Sequence, residues 1–167
     1  DNMNPLWVED DPTAEDALPP LRRYKSVAPG YFEAMGNHVI AGRSLTWAET
    51  YERRPAVVVS ATLAREYWEE PSRALGKRVR GGATREWHAI VGVVGDERDD
   101  GLNHPATAIV YWPMLSDTYR PRTMMAYAVR SDRAGTQGFL REVQHAVWSV
   151  DPNLPLAAVQ TLDEIQA

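Results

Sequence analysis

The residue pattern predicts an α+β fold, on three observations. Short apolar runs of strand type recur, as in Ala56–Val59 and Ala89–Val94. Between them lie segments whose apolar residues fall at helical spacing, as in 61–68 and 136–150. The two kinds are mixed without strict alternation, which favours α+β over a doubly wound sheet.

Composition sets the outer limits. The chain has 167 residues, 44% hydrophobic and 25% charged, the make-up of one ordinary folded domain or of one domain with two lobes. Six Trp and seven Tyr stand against only two Phe, so most rings carry a polar edge suited to half-buried strands and shallow grooves. A formal net charge of -5 gives no general attraction to nucleic acid or anionic lipid. Cysteine is absent, which excludes disulfides and thiolate chemistry. No signal peptide is visible, and a first residue of Asp1 rather than Met leads to the expectation of a processed or excised segment. The longest strongly apolar runs are far shorter than the ~20 residues that span a bilayer, so the chain is expected to be soluble.

The elements follow in order. Residues 1–23 hold Pro5, Pro12, Pro19 and Pro20 among Asp10, Asp11, Glu15 and Asp16, and read as an irregular arm in which Trp7–Asp10 could add a short strand. Pro29 suits a first helical position and Gly36 the left-handed cap beyond the end. Tyr31, Phe32 and Met35 share the face between them. His38–Ala41 reads as a strand closed by Gly42. Ala56–Val59 is a buried strand, and Ser60 caps a helix that places Leu63, Ala64, Tyr67 and Trp68 on one side until Pro71 ends it. From Gly76 the period becomes two, with Val79 inward and Lys77, Arg78 and Arg80 mostly outward. Trp87–Val94 is a strand covered on both faces, and Ala108–Trp112 and Met124–Arg130 are two more. A helix over 136–150 sets Phe139, Val143, Ala146, Val147 and Val150 in a core-facing stripe. Leu156–Val159 is a last strand, and Thr161 opens a terminal helix with Glu164 in the capping-box position.

No stretch carries a catalytic signature. Gly76-Lys77 lacks a phosphate-binding loop's first glycine, because Pro71 stands there, and Arg78 occupies the position of the magnesium-binding hydroxyl. Gly92, Gly95 and Gly101 miss the dinucleotide spacing. Asp96, Glu97, Asp99 and Asp100 form the densest acidic cluster. Counted from Asp96, however, a calcium loop would place Arg98 at the third position, where an oxygen ligand belongs, and Thr107 at the twelfth, where Glu belongs. That cluster reads as a solvated turn in which Asp96 bonds local backbone N–H groups. His38, His88, His104 and His145 are scattered, with no paired spacing for a metal. Ser60 lacks the glycines of a nucleophile elbow. The sequence points to no cofactor and no metal.

An ordered set of short pieces carries a resemblance. These are SVAPGYFEAMG, HVIAGRSLT, PAVVVSATLAREYW, LGKRVR, WHAIVGVVGDERDDGL and AIVYWP, followed by AVWSVDPNLPL and VQTLDEI. In this order, over about residues 24–166, they resemble the MacB-like periplasmic core domain of ABC transporter permeases (the MacB/FtsX-type family). The resemblance implies a two-lobed domain over 24–167, a porter-like α/β lobe plus a β-rich insert, on the extracytoplasmic side of the inner membrane. It also implies a further strand–helix unit ahead of the recognisable pattern, where only the arm is seen, so a sheet edge or apolar patch could lie uncovered. It implies no catalytic residues. The partners it implies are a second permease protomer, a separate ATPase component and a periplasmic adaptor, with the isolated domain monomeric.

Two functions of different class follow. One is a noncatalytic transporter domain that couples conformational change in the membrane to export or adaptor contact. The other is a free-standing extracytoplasmic ligand-binding or sensor module on the same fold, since fold alone does not fix function. For the first, the candidate partner surface is the polar, ring-bearing region 96–122, through Asp96, Asp99, Asp100, Tyr119, Arg120 and Arg122. One outcome is specific enough to test. Titration with magnesium-ATP should leave the melting temperature of the chain unchanged, and a saturable rise would refute the reading of Gly76-Lys77.

Overall fold

The computed structural model describes residues 2–11, 18–82, 86–98, 103–115 and 125–166. Seven strands are present among them: β1 (Met3–Val8), β2 (Leu21–Val27), β3 (Val39–Gly42), β4 (Ala56–Ser60), β5 (Arg78–Gly81), β6 (His88–Val94) and β7 (Ile109–Pro113). The helices are α1 (Tyr31–Met35), α2 (Trp47–Tyr51), α3 (Ala61–Trp68), α4 (Gln137–Val150) and α5 (Leu162–Gln166), with a 3₁₀ turn at Pro71–Ala74. The chain divides into two compact units, Asp1–Ala126 and Tyr127–Ala167. The α+β class is therefore what the chain adopts.

All seven strands belong to the first unit, in the order β3-β6-β4-β7-β2-β1-β5. β5 also pairs with β6, so the ladder returns on itself. β4 runs parallel to β6 and β2 parallel to β7, while the remaining pairs are antiparallel. The continuous apolar run of β4 has its reason here. Val57 and Val59 join a cluster with Leu6, Tyr24, Leu63, Val79, Ile90 and Trp112. Ala56 and Val58 join a second cluster on the opposite face, with Val27, Phe32, Ile109 and Tyr111. A strand buried on both sides has no solvent face to mark with polar residues.

Local chemistry explains the shorter pieces. Gly36 ends α1 in the left-handed region at φ 71, as its lack of a side chain permits. The Ser60 hydroxyl accepts from Leu63 N at the start of α3, where Leu63 and Ala64 are fully buried. The chain leaving β3 presses so closely on β6 that a Cβ on Gly92 would fall 1.9 Å from the Arg43 carbonyl oxygen. α2 rests on a capping box in which the Glu49 carboxylate accepts from Thr46 N and Oγ1 and pairs with Arg43. Burial opposes ionisation of Glu49, yet those donors prevail and bring its pKa down to about 2.

The structure corrects several expectations. The stretch read as an irregular arm contains β1 and the start of β2, because Leu6 and Val8 point into the core while β1 pairs with β2 and β5. Of the strand expected at Met124–Arg130, residues 125–130 are described and are not in a strand. The expected strand Leu156–Val159 is likewise irregular. α4 forms as expected, capped by Thr136, but none of its residues is buried. Val143 is half-buried and Val150 is 84% exposed, so the second unit does not itself bury the stripe. Spacing reports which residues share a face and not whether anything covers it.

His88 is buried at 4% exposure, its ring edge-on to Trp112 with centroids 4.8 Å apart and Nδ1 donating to the Glu86 carbonyl at 3.1 Å. Burial lowers its pKa, with the Glu86 carbonyl opposing. The unfolded chain takes up this proton near the ordinary value of about 6.5, and the folded chain does so only at lower pH. The stabilisation is therefore present above about pH 6.5 and is lost as pH falls below it.

Two outcomes follow. Leu63→Ala should cost about 2–5 kcal/mol in urea denaturation, whereas Val143→Ala should cost less than about 1 kcal/mol; equal losses would contradict this assignment of the core. The melting temperature should also fall between about pH 7 and 5.5, with a shallower slope in His88→Gln. An unchanged slope would mean that His88 is not the group being protonated.

Candidate functional site

The site is built where β6 runs out. Gly95 N donates to the His38 carbonyl at 3.0 Å, and Asn37 Nδ2 donates to the Gly95 carbonyl at 3.0 Å. A Cβ on Gly95 would lie 2.6 Å from Asn37 Oδ1, so glycine lets the segment after α1 close on the strand end. The next two residues are carboxylates that turn to different elements.

Asp96 reaches α3. Its Oδ1 accepts from Thr62 N at 2.7 Å, and its Oδ2 lies 3.5 Å from Arg65 Nη1. With Ser60 already accepting from Leu63 N, two of the free N–H groups in the first turn of α3 are satisfied. Ser60 Oγ also accepts from Ile109 N at 3.0 Å, tying the start of β7 to the same point. Glu97 reaches the other way. Its Oε2 lies 2.5 Å from Lys25 Nζ on β2 and accepts from the Tyr31 hydroxyl on α1 at 3.1 Å, while Oε1 accepts from Asn37 Nδ2 at 3.2 Å. The Lys25 and Glu97 side chains are 23% and 14% exposed, so the pair is partly desolvated. Burial, helped by the nearby Glu97 charge and opposed by Lys25, pushes the Tyr31 phenol up to about 12.

This geometry revises the reading of the acidic cluster as a solvated turn. The N–H that Asp96 bonds is 34 positions away, and Glu97 is fastened by three donors. Sequence spacing carries no signal for either contact, because each partner is distant in the chain. Asp99, Asp100, Tyr119, Arg120 and Arg122 lie outside the described residues. The region 96–122 is also not one exposed surface. β7 passes through its middle with all five residues buried, so the Tyr111 and Trp112 rings belong to the core.

The remaining candidates are placed as follows. Lys77 pairs with Asp10 at 2.6 Å, and Gly76-Lys77 leads directly into β5. His38, His104 and His145 are exposed. Among the described residues no group of three His, Asp or Glu side chains is placed to hold a metal ion. No helix among them is long and apolar enough to cross a membrane.

Comparison with known proteins completes the description. Residues 12–147 match the family model of the MacB-like periplasmic core domain. The fold is similar to the periplasmic region of MacB from Actinobacillus actinomycetemcomitans, with a TM-score of 0.60 and 16% identity over 89% of this chain and 63% of that one. The chain thus spans less than two thirds of that relative's length. It is also similar to a domain of a protein assigned as a permease, from Porphyromonas gingivalis, with a TM-score of 0.56 and 16% identity over 98% of this chain and 77% of that one. No curated protein sequence matches the chain.

The two carboxylates should differ in what they hold. Glu97→Ala leaves Lys25, Tyr31 and Asn37 without their shared acceptor and should cost about 1–3 kcal/mol. Asp96→Ala removes one helix-capping acceptor and should cost about 1 kcal/mol. Urea denaturation of both variants checks this, and a larger loss at Asp96 would reverse the ranking of the two contacts.

Proposed function

Because the chain belongs to the MacB-like periplasmic core domain family, we propose that it is a noncatalytic extracytoplasmic domain of an ABC transporter permease. In this reading it couples conformational change in the membrane to export of a substrate or to contact with an adaptor. ATP hydrolysis falls to a separate ATPase component, and a second permease protomer supplies the facing domain. The reading takes residues 24–167 as the family domain, a porter-like lobe with a β-rich insert, on the periplasmic side of the inner membrane. The observation that carries it is the family match over 12–147.

A domain of this kind acts only through contacts that differ between two states of the transporter. The Asp96–Glu97 clasp supports a role for the segment that follows it, because it ties the start of that segment to α3 on one side and to β2 and α1 on the other. A partner pushing on that segment would load the sheet directly. The proposed contact residues are Asp96, Asp99, Asp100, Tyr119, Arg120 and Arg122. A polar rim of this composition suits a reversible contact, so the isolated domain is monomeric at micromolar concentration.

The test uses the intact permease with cysteines placed at Asp100 or Tyr119. Crosslinking to the partner protomer or adaptor should block export while ATP hydrolysis persists in part. Export that continues after complete crosslinking would show that this surface does not move, and would leave the ligand-binding or sensor module as the better reading.

A further inference from the structure

The sheet of the first unit closes on itself at one narrow seam. β4 meets β6 over five register pairs, from Ala56 with Ala89 to Ser60 with Val94, and β2 meets β7 over five. β5 meets β6 over two, Arg78 with Ala89 and Val79 with His88. The residues leading into β5 extend the seam, where Ile90 N donates to the Lys77 carbonyl at 2.8 Å and Gly76 N to the Ile90 carbonyl at 2.9 Å. His88 is the first residue of β6 and stands ahead of the part that β4 pairs with. Its register partner is therefore on β5 alone.

The buried His88 ring is turned toward the cluster of Val79 and Trp112, where a charge has little to meet. β5 presents Val79 and Gly81 there, and β1 presents Leu6 and Val8, all of them buried. β7 presents Trp112, whose ring lies 4.8 Å from that of His88 and 5.2 Å from that of Tyr24 on β2. Neither β4 nor β7 carries a charged residue. The charges of β5 alternate with its buried residues: Arg78 is exposed and pairs with Glu9, and Arg80 lies 5.1 Å from the Trp7 ring and 5.0 Å from the Trp87 ring. Glu86 favours a charged His88 but is itself exposed. His88 Nδ1 already donates to the Glu86 carbonyl, and a proton added at Nε2 finds no acceptor among the described residues. A charged imidazole is therefore accommodated by bringing the ring to water, and the pairing that stands in its way is the seam.

We propose that the β5–β6 seam is an acid-released latch: protonation of His88 frees β5 from the start of β6, while β4 keeps its pairing with β6 and β7. β5 stays with β1, which it meets over Leu6 to Val8, so the two strands move together and open the interior to water. The latch lies at the opposite end of β6 from Asp96, and its failure would leave the transport reading standing.

Adjacent amides on β6 read the latch. Ala89 N donates to the Pro55 carbonyl at 2.9 Å, on the β4 side, whereas Ile90 N donates to Lys77, on the β5 side. Hydrogen exchange of the ¹⁵N-labelled chain is followed from pH 7 to 5, with rates corrected for their intrinsic pH dependence. Protection at Ile90 and Gly76 should fall about tenfold per pH unit below about 6.5, while Ala89 holds its protection. In His88→Gln the ratio of Ile90 to Ala89 protection should not change with pH. A second measurement, titration of the His88 ring signals in the parent, does not depend on how the variant folds, and the ring should take up its proton in step with the loss at Ile90. The proposal is overturned if Ala89 and Ile90 lose protection together, if their ratio in the parent is independent of pH, if the variant keeps the parent's change, or if the ring is protonated with Ile90 still protected.

Discussion

Two-sided burial of β4 is the constraint on which the rest of the first unit depends. All five of its residues are buried, and Ala56 to Val59 alternate between the two apolar clusters. Neither cluster can be completed without them. One needs Val57 and Val59 under α3 and against Trp112, and the other needs Val58 against Tyr111 and Phe32. Ser60 then converts the end of this strand into a junction, because one hydroxyl accepts from the first turn of α3 and from the first residue of β7. The strand, the helix and the returning strand are fixed relative to one another at a single buried atom.

That junction also explains why the chemistry after β6 is ordered. β6 runs parallel to β4, so the two strands end together and Asp96 arrives beside the first turn of α3. A carboxylate there satisfies free N–H groups and meets the positive end of the helix. Glu97 follows and finds Lys25 and Tyr31, which the second cluster positions through Val27 and Phe32 on the same elements. Packing places the donors, and the acidic pair records where they are.

Parts of this were legible in the residues and parts were not, for physical reasons. The buried strand at 56–59, the Ser60 cap, the Leu63 face of α3 and the capping box at Thr161 were readable because each rests on near neighbours in the chain. α2 was readable in principle, since Thr46 and Glu49 stand at capping-box spacing. β1 was hidden by Pro5 and the acidic residues after Val8, and only its pairing with β2 and β5 makes it a strand. That the second unit leaves α4 without a buried residue was not readable, because helical spacing is the same whether or not a neighbour in that unit covers it. For the site, the sequence marked the acidic cluster but not its anchors, since Thr62, Lys25 and Tyr31 lie 34 to 72 positions away.

The central claim is that a rigid sheet delivers a fastened segment whose hold can be loosened without disturbing the core. Native-state hydrogen exchange on the parent and on Glu97→Gln tests it most directly. Amides of β4 and β7 should be the most protected in both proteins, while those of Gly95 to Arg98 should exchange faster in the variant alone. Equal loss of protection in β4 and in the segment after β6 would contradict the account, because the clasp would then be part of the core it is held to anchor upon.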